Sequence, residues 1–79
     1  MLVDVVEFLV KNLVTEPDMV SVKEFEDDDM ITLEIMVSND DMGKVIGKDG
    51  KVASALRTVV KAVAYKKTNK KININIDSF

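Results

Sequence analysis

A four-residue segment in the middle of the chain, Gly47–Gly50 (GKDG), has residue types and spacing suited to binding an anion. Glycine has no Cβ, so it permits the positive-φ conformations of a sharp turn and lets another molecule approach the main chain. A helical pattern begins directly after Gly50, and the free N–H groups and dipole at the start of a helix favour negative charge there. Lys44, Lys48 and Lys51 surround this position with positive charge. The segment therefore predicts a helix–turn–helix corner against which a phosphate chain can lie.

Other interpretations of this corner are weaker or remain open. An Asp-Gly pair between alternating strands would indicate a hairpin, but the flanks here are helical. A P-loop requires the pattern G-x-x-x-x-G-K-[ST], whereas Gly43 to Gly47 is one residue short and Asp49 stands where a hydroxyl should hold magnesium. Nucleotide hydrolysis is therefore rejected, and a merely structural helix–helix corner stays open as the alternative to an anion site.

The rest of the chain offers little for catalysis or metal binding. It contains no His and no Cys, and its few serines have no evident base at a readable spacing. The triple Asp27–Asp29 lacks the D-x-[DN]-x-[DN]-G spacing and the distal Glu of a calcium loop, so it is interpreted as a solvated turn. We expect no enzyme activity, no metal and no cofactor.

Length and composition indicate one small domain. Seventy-nine residues, of which 47% are hydrophobic, form a single domain over residues 1–79 with a modest core. The lack of Cys fits a reducing cytoplasm. The apolar stretch Met1–Val14 carries Asp4, Glu7 and Lys11 and is too short to cross a bilayer, so we expect a core helix, no membrane association and a cytoplasmic location.

Charge is distributed unevenly along the chain. Residues 1–42 contain twelve acidic side chains and two lysines, whereas residues 43–79 contain nine basic side chains and two aspartates. The net charge of −3 argues against a polyanion as partner, but the basic half begins at the glycine corner and can bind a polyanion locally. The acidic half would repel nucleic acid and limit where it docks.

The pattern of apolar residues predicts the elements that position the corner. A helix is expected over Leu2–Val14, with Leu13 on its apolar stripe, and Pro17 ends it. Strands are expected over Met19–Glu26 and Met30–Ser38, joined by the acidic turn as an antiparallel hairpin. Asn39, Asp40 and Asp41 are N-cap candidates. The remaining expected elements are a short helix Asp41–Ile46, a long helix Lys51–Lys67 and a strand Ile72–Ile76.

The corner with its Val-Ile lead-in resembles the Ile-Gly-x-x-Gly signature of the KH domain, a module that binds RNA and single-stranded DNA. The segments Asp41–Gly50 and Ser54–Arg57 are similar to the small bacterial stand-alone KH proteins, the KhpA family, and the order α-β-β-α-α-β matches the bacterial (type II) KH arrangement. The resemblance implies a two-layer α+β fold with three helices packed on one face of a three-stranded mixed sheet. It also implies a single-stranded RNA-binding protein that acts as an RNA chaperone or post-transcriptional regulator.

In KH domains the turn clamps about four nucleotides of backbone while the bases splay over an apolar groove. Carried over by position, the backbone would be held by Gly47, Lys48, Asp49 and Gly50, the groove would be supplied by Val45, Ile46 and Leu56 with Ile72 or Ile74 at the far wall, and Lys44, Lys51 and Arg57 would assist electrostatically. The negative charge of Asp49 is a departure that should weaken binding. No aromatic residue lies at the corner, so base stacking is not expected.

The long helix carries a second apolar surface beside the one assigned to the core. The core face is expected to contain Ala53, Leu56, Val60, Val63 and Ala64, and the adjoining apolar face contains Val52, Ala55, Val59 and Ala62. A surface helix normally needs only one apolar stripe, so this helix is either broadly buried or carries a homodimer interface. A protein-interaction module that acts through residues 51–67, with little RNA binding, is the alternative function. The resemblance also implies a heterodimer partner, a jag-type KH protein (KhpB).

Overall fold

The computed structural model describes residues 2–79, which form a mixed three-stranded sheet with helices on one face. The elements are α1 (Leu2–Lys11), β1 (Ser21–Glu26), β2 (Met30–Val37), α2 (Met42–Ile46), α3 (Lys51–Tyr65) and β3 (Lys71–Ser78). Strand β2 is central and pairs antiparallel with β1 and parallel with β3. The predicted order of elements, the mixed sheet and the type II KH fold are thereby confirmed.

Strand β2 shows why the sheet has one covered and one open face. Successive side chains of a strand point to opposite faces, and the buried positions of β2 alternate with half-buried ones. The buried set is Ile31, Leu33, Ile35 and Val37. The opposite, outer face carries polar residues of β3: Asn73 lies beside Thr32 and Asn75 lies beside Glu34, and both asparagines are exposed.

Helix α1 packs its stripe into the core but ends earlier than predicted. Val6 and Val10 are fully buried, whereas Leu13 lies beyond the helix and is 37% exposed. The side-chain amide of Asn12 donates to the carbonyl oxygen of Phe8 at 2.7 Å, and an Asn that bonds nearby backbone competes with helix continuation. Within residues 2–79 no helix is long and apolar enough to cross a membrane.

Three other elements differ in their boundaries from the predictions for local reasons. Strand β1 begins at Ser21 because Pro17–Met19 forms a single 3₁₀ turn, in which the amide of Val20 donates to the carbonyl of Pro17 at 3.1 Å. Helix α3 ends at Tyr65, and the amides of Lys67 and Thr68 both donate to the carbonyl of Ala64. The last strand is longer than predicted because all eight residues of β3 pair with β2.

The GKDG turn, Gly47–Gly50, lies inside the connection between the two parallel strands. Parallel strands need a long crossover connection, and here α2, the turn and α3 supply it between β2 and β3. Val45 on α2 and Leu56 and Val60 on α3 anchor both arms of this connection in the core. The turn is therefore held at a defined place at the edge of the helical layer.

Candidate nucleic-acid interface

The GKDG turn contains three residues with positive φ. Gly47 has φ 76° and ψ 174°, a region that is essentially open only to glycine. Asp49 (φ 57°, ψ 26°) and Gly50 (φ 74°, ψ 13°) are both left-handed. Aspartate tolerates this region better than most residues because its short polar side chain can bond locally. These conformations connect the end of α2 to the start of α3 within four residues.

The two glycines of the turn are needed for different reasons. A Cβ on Gly47 would lie 2.3 Å from Cγ2 and 2.9 Å from the backbone nitrogen of Val52, so a larger residue there would collide with the start of α3. A Cβ on Gly50 would meet no heavy atom within 4 Å. Position 47 therefore requires glycine for both space and backbone angle, whereas position 50 requires it only for backbone angle.

The backbone of the turn is partly engaged and partly open. The amide of Gly47 donates to the carbonyl of Gly43 at 2.9 Å, and the amide of Gly50 donates to the carbonyl of Gly47 at 3.2 Å. Gly50 is the N-cap residue of α3, and no side chain of residues 2–79 forms a capping hydrogen bond there. The first turn of a helix leaves N–H groups without intrahelical partners. The amide of Lys51 donates to the carbonyl of Lys48, and the amides that follow it in the first turn of α3 have no side-chain cap among residues 2–79.

Cationic side chains surround this helix start. Lys44, Lys48 and Lys51 are all exposed, and among residues 2–79 none of them forms an ion pair with an acidic side chain. Asp49, also exposed, is the acidic member of the turn. Arg57, almost two helical turns along α3 from Lys51, is half-buried. Lys48 and Lys51 thus lie in the turn and at the first residue of α3, Lys44 lies on α2 before the turn, and Arg57 lies about 9 Å further along α3.

The predicted groove residues lie at different depths. Val45 is fully buried, so it positions α2 from within the core and offers no surface to a base. Leu56, Ile72 and Ile74 retain 6%, 6% and 4% of their surface, and Ile46 is half-buried next to the turn. Ile46 is the member of the predicted groove set that keeps the most exposed surface. The others belong to the hydrophobic core.

Sequence reasoning missed the part played by Asp41. Asp41 is one of the three N-cap candidates and stands at the N-cap position of α2, but its carboxylate makes no capping bond there. It instead accepts hydrogen bonds from the amide and hydroxyl of Thr15 (3.0 and 2.8 Å), the amide of Glu16 (3.0 Å) and the hydroxyl of Ser38 (3.1 Å). The bond from the Thr15 amide is the main cause that lowers the pKa of Asp41, and its desolvation opposes that shift.

Through these hydrogen bonds the buried carboxylate of Asp41 links the α1–β1 connection to the start of α2. The run Ser38–Asp41 contains four short polar residues, and nothing in their order distinguishes the member that turns inward. The sequence signal for this contact was limited to a run of polar residues in front of an apolar helix. Which segment the carboxylate would meet depends on where the α1–β1 connection passes, and this is a tertiary property.

The basic run after α3 is divided by a contact with the acidic hairpin. The ammonium of Lys70 donates to the carboxylate of Glu26 at 2.6 Å and to the carbonyl of Asp27 at 2.8 Å, and its pKa is raised mainly by the bond to Glu26. Lys66, Lys67 and Lys71 are exposed. Lys70 is therefore engaged in holding the α3–β3 connection against the β1–β2 turn, at the opposite end of α3 from the GKDG turn.

The apolar face of α3, Val52, Ala55, Val59 and Ala62, is largely uncovered. Val59 is 48% exposed, Ala55 and Ala62 are exposed, and Val52 is half-buried. The predicted core face is buried at Ala53, Leu56, Val60 and Ala64, with Val63 half-buried. A broadly buried helix is thus wrong for the single chain. A pocket of about 200 Å³ extends this face onto α1, which sequence reasoning did not include; its lining consists of Leu9, Leu13, Val52, Ala55, Leu56 and Val59.

Comparison with known proteins agrees with this architecture. A family model described as KhpA/KhpB, KH domain, matches residues 3–76. The chain belongs to this family. It is 51% identical over 73 residues to a protein of Clostridium perfringens named RNA-binding protein KhpA, covering 92% of this chain and 96% of that protein. Proteins of the same name from Clostridium acetobutylicum (49% identity, 89% and 92% coverage) and Borreliella burgdorferi (39% identity, 94% and 89% coverage) are also similar.

The family fold also occurs as part of a larger protein. The crystal structure of Era in complex with MgGDPNP and nucleotides 1506–1542 of 16S ribosomal RNA contains a similar arrangement, with a TM-score of 0.68 and 18% identity. The match covers 98% of this chain and 29% of that one. At this identity the likeness concerns the fold alone, which agrees with the KhpA/KhpB assignment.

Proposed function

We propose that this KH domain binds single-stranded RNA through the GKDG turn. The observation that carries the proposal is the uncapped start of α3 beside a turn with three positive-φ residues, ringed by exposed lysines without ion-pair partners among residues 2–79. Relatives that cover nearly the same length are named RNA-binding proteins. A sugar–phosphate backbone would suit this place because the start of a helix and the neighbouring lysines favour an anion, and no side chain of residues 2–79 caps that helix start.

Each part of the turn has a distinct proposed role. Gly47, Lys48, Asp49 and Gly50 would contact the RNA backbone, and Lys44, Lys51 and Arg57 would add positive charge. Ile46 would contact a base directly. Val45 and Leu56 would support Ile46 from the core, and Ile72 or Ile74 would lie at the far wall of the groove. With about three phosphates neutralised, log K should fall with log salt at a slope of roughly −2 for a single strand.

A pair of substitutions with equal charge change tests the proposal. Lys48→Glu places a negative charge in the turn, whereas Lys66→Glu makes the same change at an exposed position after α3, at the other end of the helix. Fluorescence anisotropy with a labelled oligouridylate should show a loss of about tenfold or more for Lys48→Glu and a much smaller change for Lys66→Glu. Equal losses would mean that the field of the whole domain, and not the turn, attracts the RNA.

A second candidate function is favoured by the apolar face of α3. Apolar side chains that are uncharged, contiguous and exposed around a pocket mark interaction surfaces, and we propose that a second copy of the chain covers this one. Two turns in one particle would raise avidity for RNA without new contacts. The same face would suit a heterodimer with a KhpB-type protein. If the domain acts through this face with little RNA binding, it is a protein-interaction module, and this alternative excludes the RNA clamp.

Self-association is tested on the same helix with a matched control. Val59→Lys puts a charge in the centre of the apolar face, whereas Thr58→Lys puts it on the exposed polar side of α3. Sedimentation should show a monomer for Val59→Lys and an unchanged dimer for Thr58→Lys. If the parent dimerised but bound the oligouridylate only weakly, and Lys48→Glu altered that binding no more than Lys66→Glu, the interaction-module hypothesis would replace the RNA clamp.

The proposed cellular role is that of a cytoplasmic RNA chaperone or post-transcriptional regulator without enzyme activity. Residues 1–79 would act as one KH domain, and the weak clamp of a single domain suits transient contact with many RNAs more than tight binding of one. Crosslinking the protein to RNA in cells, followed by sequencing of the recovered RNA, would identify the targets. A Lys48→Glu strain provides the background signal.

A further inference from the structure

The start of α3 contains a side chain that touches the GKDG turn from behind. A Cβ built on Gly47 would lie 2.3 Å from Cγ2 and 2.7 Å from Cβ of Val52, so the valine occupies the space directly beside the glycine Cα. Val52 is half-buried and is not among the residues of the proposed RNA contact. Gly47 is also the residue of the turn with the least common backbone conformation.

Glycine is the residue that loses most freedom on folding, because it can occupy both positive and negative φ. Its conformation at position 47 is supported by one bond from its own amide to the carbonyl of Gly43 and one from the amide of Gly50 to its carbonyl. Val52 adds a steric wall, and a β-branched side chain in a helix is held near one rotamer. The wall is therefore rigid as well as close.

We propose that Val52 is a positioning residue for RNA binding: its γ-methyl group holds Gly47 in the conformation that opens the turn to the phosphate backbone. The inference rests on the proposed function of the turn, but its physical content, an ordered turn in the RNA-free protein, does not depend on RNA. Without the methyl group, Gly47 regains conformations that RNA must remove again on binding, and the affinity falls by the ordering entropy.

Two substitutions at Val52 test whether its β-branched γ carbons hold Gly47 in place. Val52→Ala removes both γ-methyl groups, and Val52→Ile keeps the β-branched shape and its preferred helical rotamer while adding one methyl group. Since Val52 also belongs to the apolar face, each variant is made together with Val59→Lys, so that changes in self-association do not enter the comparison. Binding is measured with a short labelled oligouridylate, and ¹⁵N relaxation of residues 47–50 is recorded without RNA.

The expected result is a loss of affinity of about fivefold for Val52→Ala, the size of a partial loss of one residue's backbone order, with faster motion of the turn amides. Val52→Ile should stay within about twofold of the parent with unchanged relaxation, because the β-branched γ carbons and their preferred rotamer are retained. Unchanged amide motion in Val52→Ala, or equal losses of affinity for both variants, would overturn the inference. Failure of the RNA proposal itself would show differently, as Lys48→Glu binding RNA like the parent.

Discussion

Alanine at the two glycines of the turn should have unequal effects, and the difference follows from the surroundings of each position. Gly50→Ala forces a Cβ into a left-handed conformation with no neighbour within 4 Å. That conformation costs about 1–2 kcal/mol for an ordinary residue, partly offset by the reduced freedom of the unfolded chain. Gly47→Ala adds a collision, because the Cβ would lie 2.3 Å from Val52 Cγ2 and 2.9 Å from the Val52 nitrogen.

The magnitude for Gly47→Ala combines two terms. The glycine-only backbone region costs roughly 1–3 kcal/mol, and forcing extra volume against packed atoms costs another ~1–3 kcal/mol. A domain of this length has a free energy of unfolding of about 4–12 kcal/mol, so the substitution removes much of it. For domains of this size about 1 kcal/mol corresponds to 4–8 °C in melting temperature. Gly50→Ala should therefore melt roughly 5–15 °C lower, and Gly47→Ala lower still.

Circular-dichroism melts and urea unfolding of the two variants under identical conditions provide the measurement. The double variant Gly47→Ala/Val52→Ala should recover only part of the lost stability. The added Cβ of residue 47 would still lie 2.7 Å from the Cβ and 2.9 Å from the backbone nitrogen of residue 52. Equal destabilisation by the two alanines, or full recovery in the double variant, would refute the account of Gly47. The result also bears on function tests: Lys48 is a cleaner site for disrupting RNA binding than Gly47.

Three further predictions concern charged side chains. Asp49→Asn keeps a residue that tolerates the left-handed conformation and removes a repulsive charge, so RNA affinity should rise about two- to fivefold in anisotropy titrations; no change would place the phosphates away from the turn. Asp41 has a lowered pKa when folded, so its stabilisation is present above its unfolded pKa and is lost as the pH falls through the folded value. Asp41→Asn should lower the melting temperature at neutral pH and weaken the loss of stability at acid pH. An unchanged loss at acid pH would contradict the stabilising role of the Asp41 hydrogen bonds. Lys70→Gln should speed amide exchange in the α3–β3 connection without altering RNA affinity, since it breaks the bond to Glu26 far from the turn; unaltered exchange would show that this contact does not hold the loop.

The fold was predictable because local pattern and long-range pairing agree. The strict alternation of β2 and β3 and the helical spacing of α3 appear in the sequence, and each matches the face that is buried. Boundaries were less predictable. At the end of α1 the Asn12 side chain shares the Phe8 carbonyl with the Asn12 amide, and the amide of Leu13 donates to Val10 instead of Leu9; residue spacing reveals neither bond.

The location of the site was predictable, whereas its supporting contacts were not. The glycine pair and its lysines are adjacent in sequence, so their convergence follows from one turn. The inward carboxylate of Asp41, the pairing of Lys70 with the acidic hairpin and the contribution of Leu9 and Leu13 to the apolar pocket all join segments distant in sequence. Such contacts depend on how the layers meet, and no single stretch of residues carries that information.

The open face of the sheet makes the molecule easy to attach to a surface or a dye. Asn75 is exposed in β3 on the side away from the helices, next to Glu34 of the central strand. Because the chain has no Cys, Asn75→Cys would create a unique thiol for maleimide coupling. A protein tethered there would present the lysine-ringed turn and the apolar side of α3 to solution together, so both kinds of binding could be followed on one sensor.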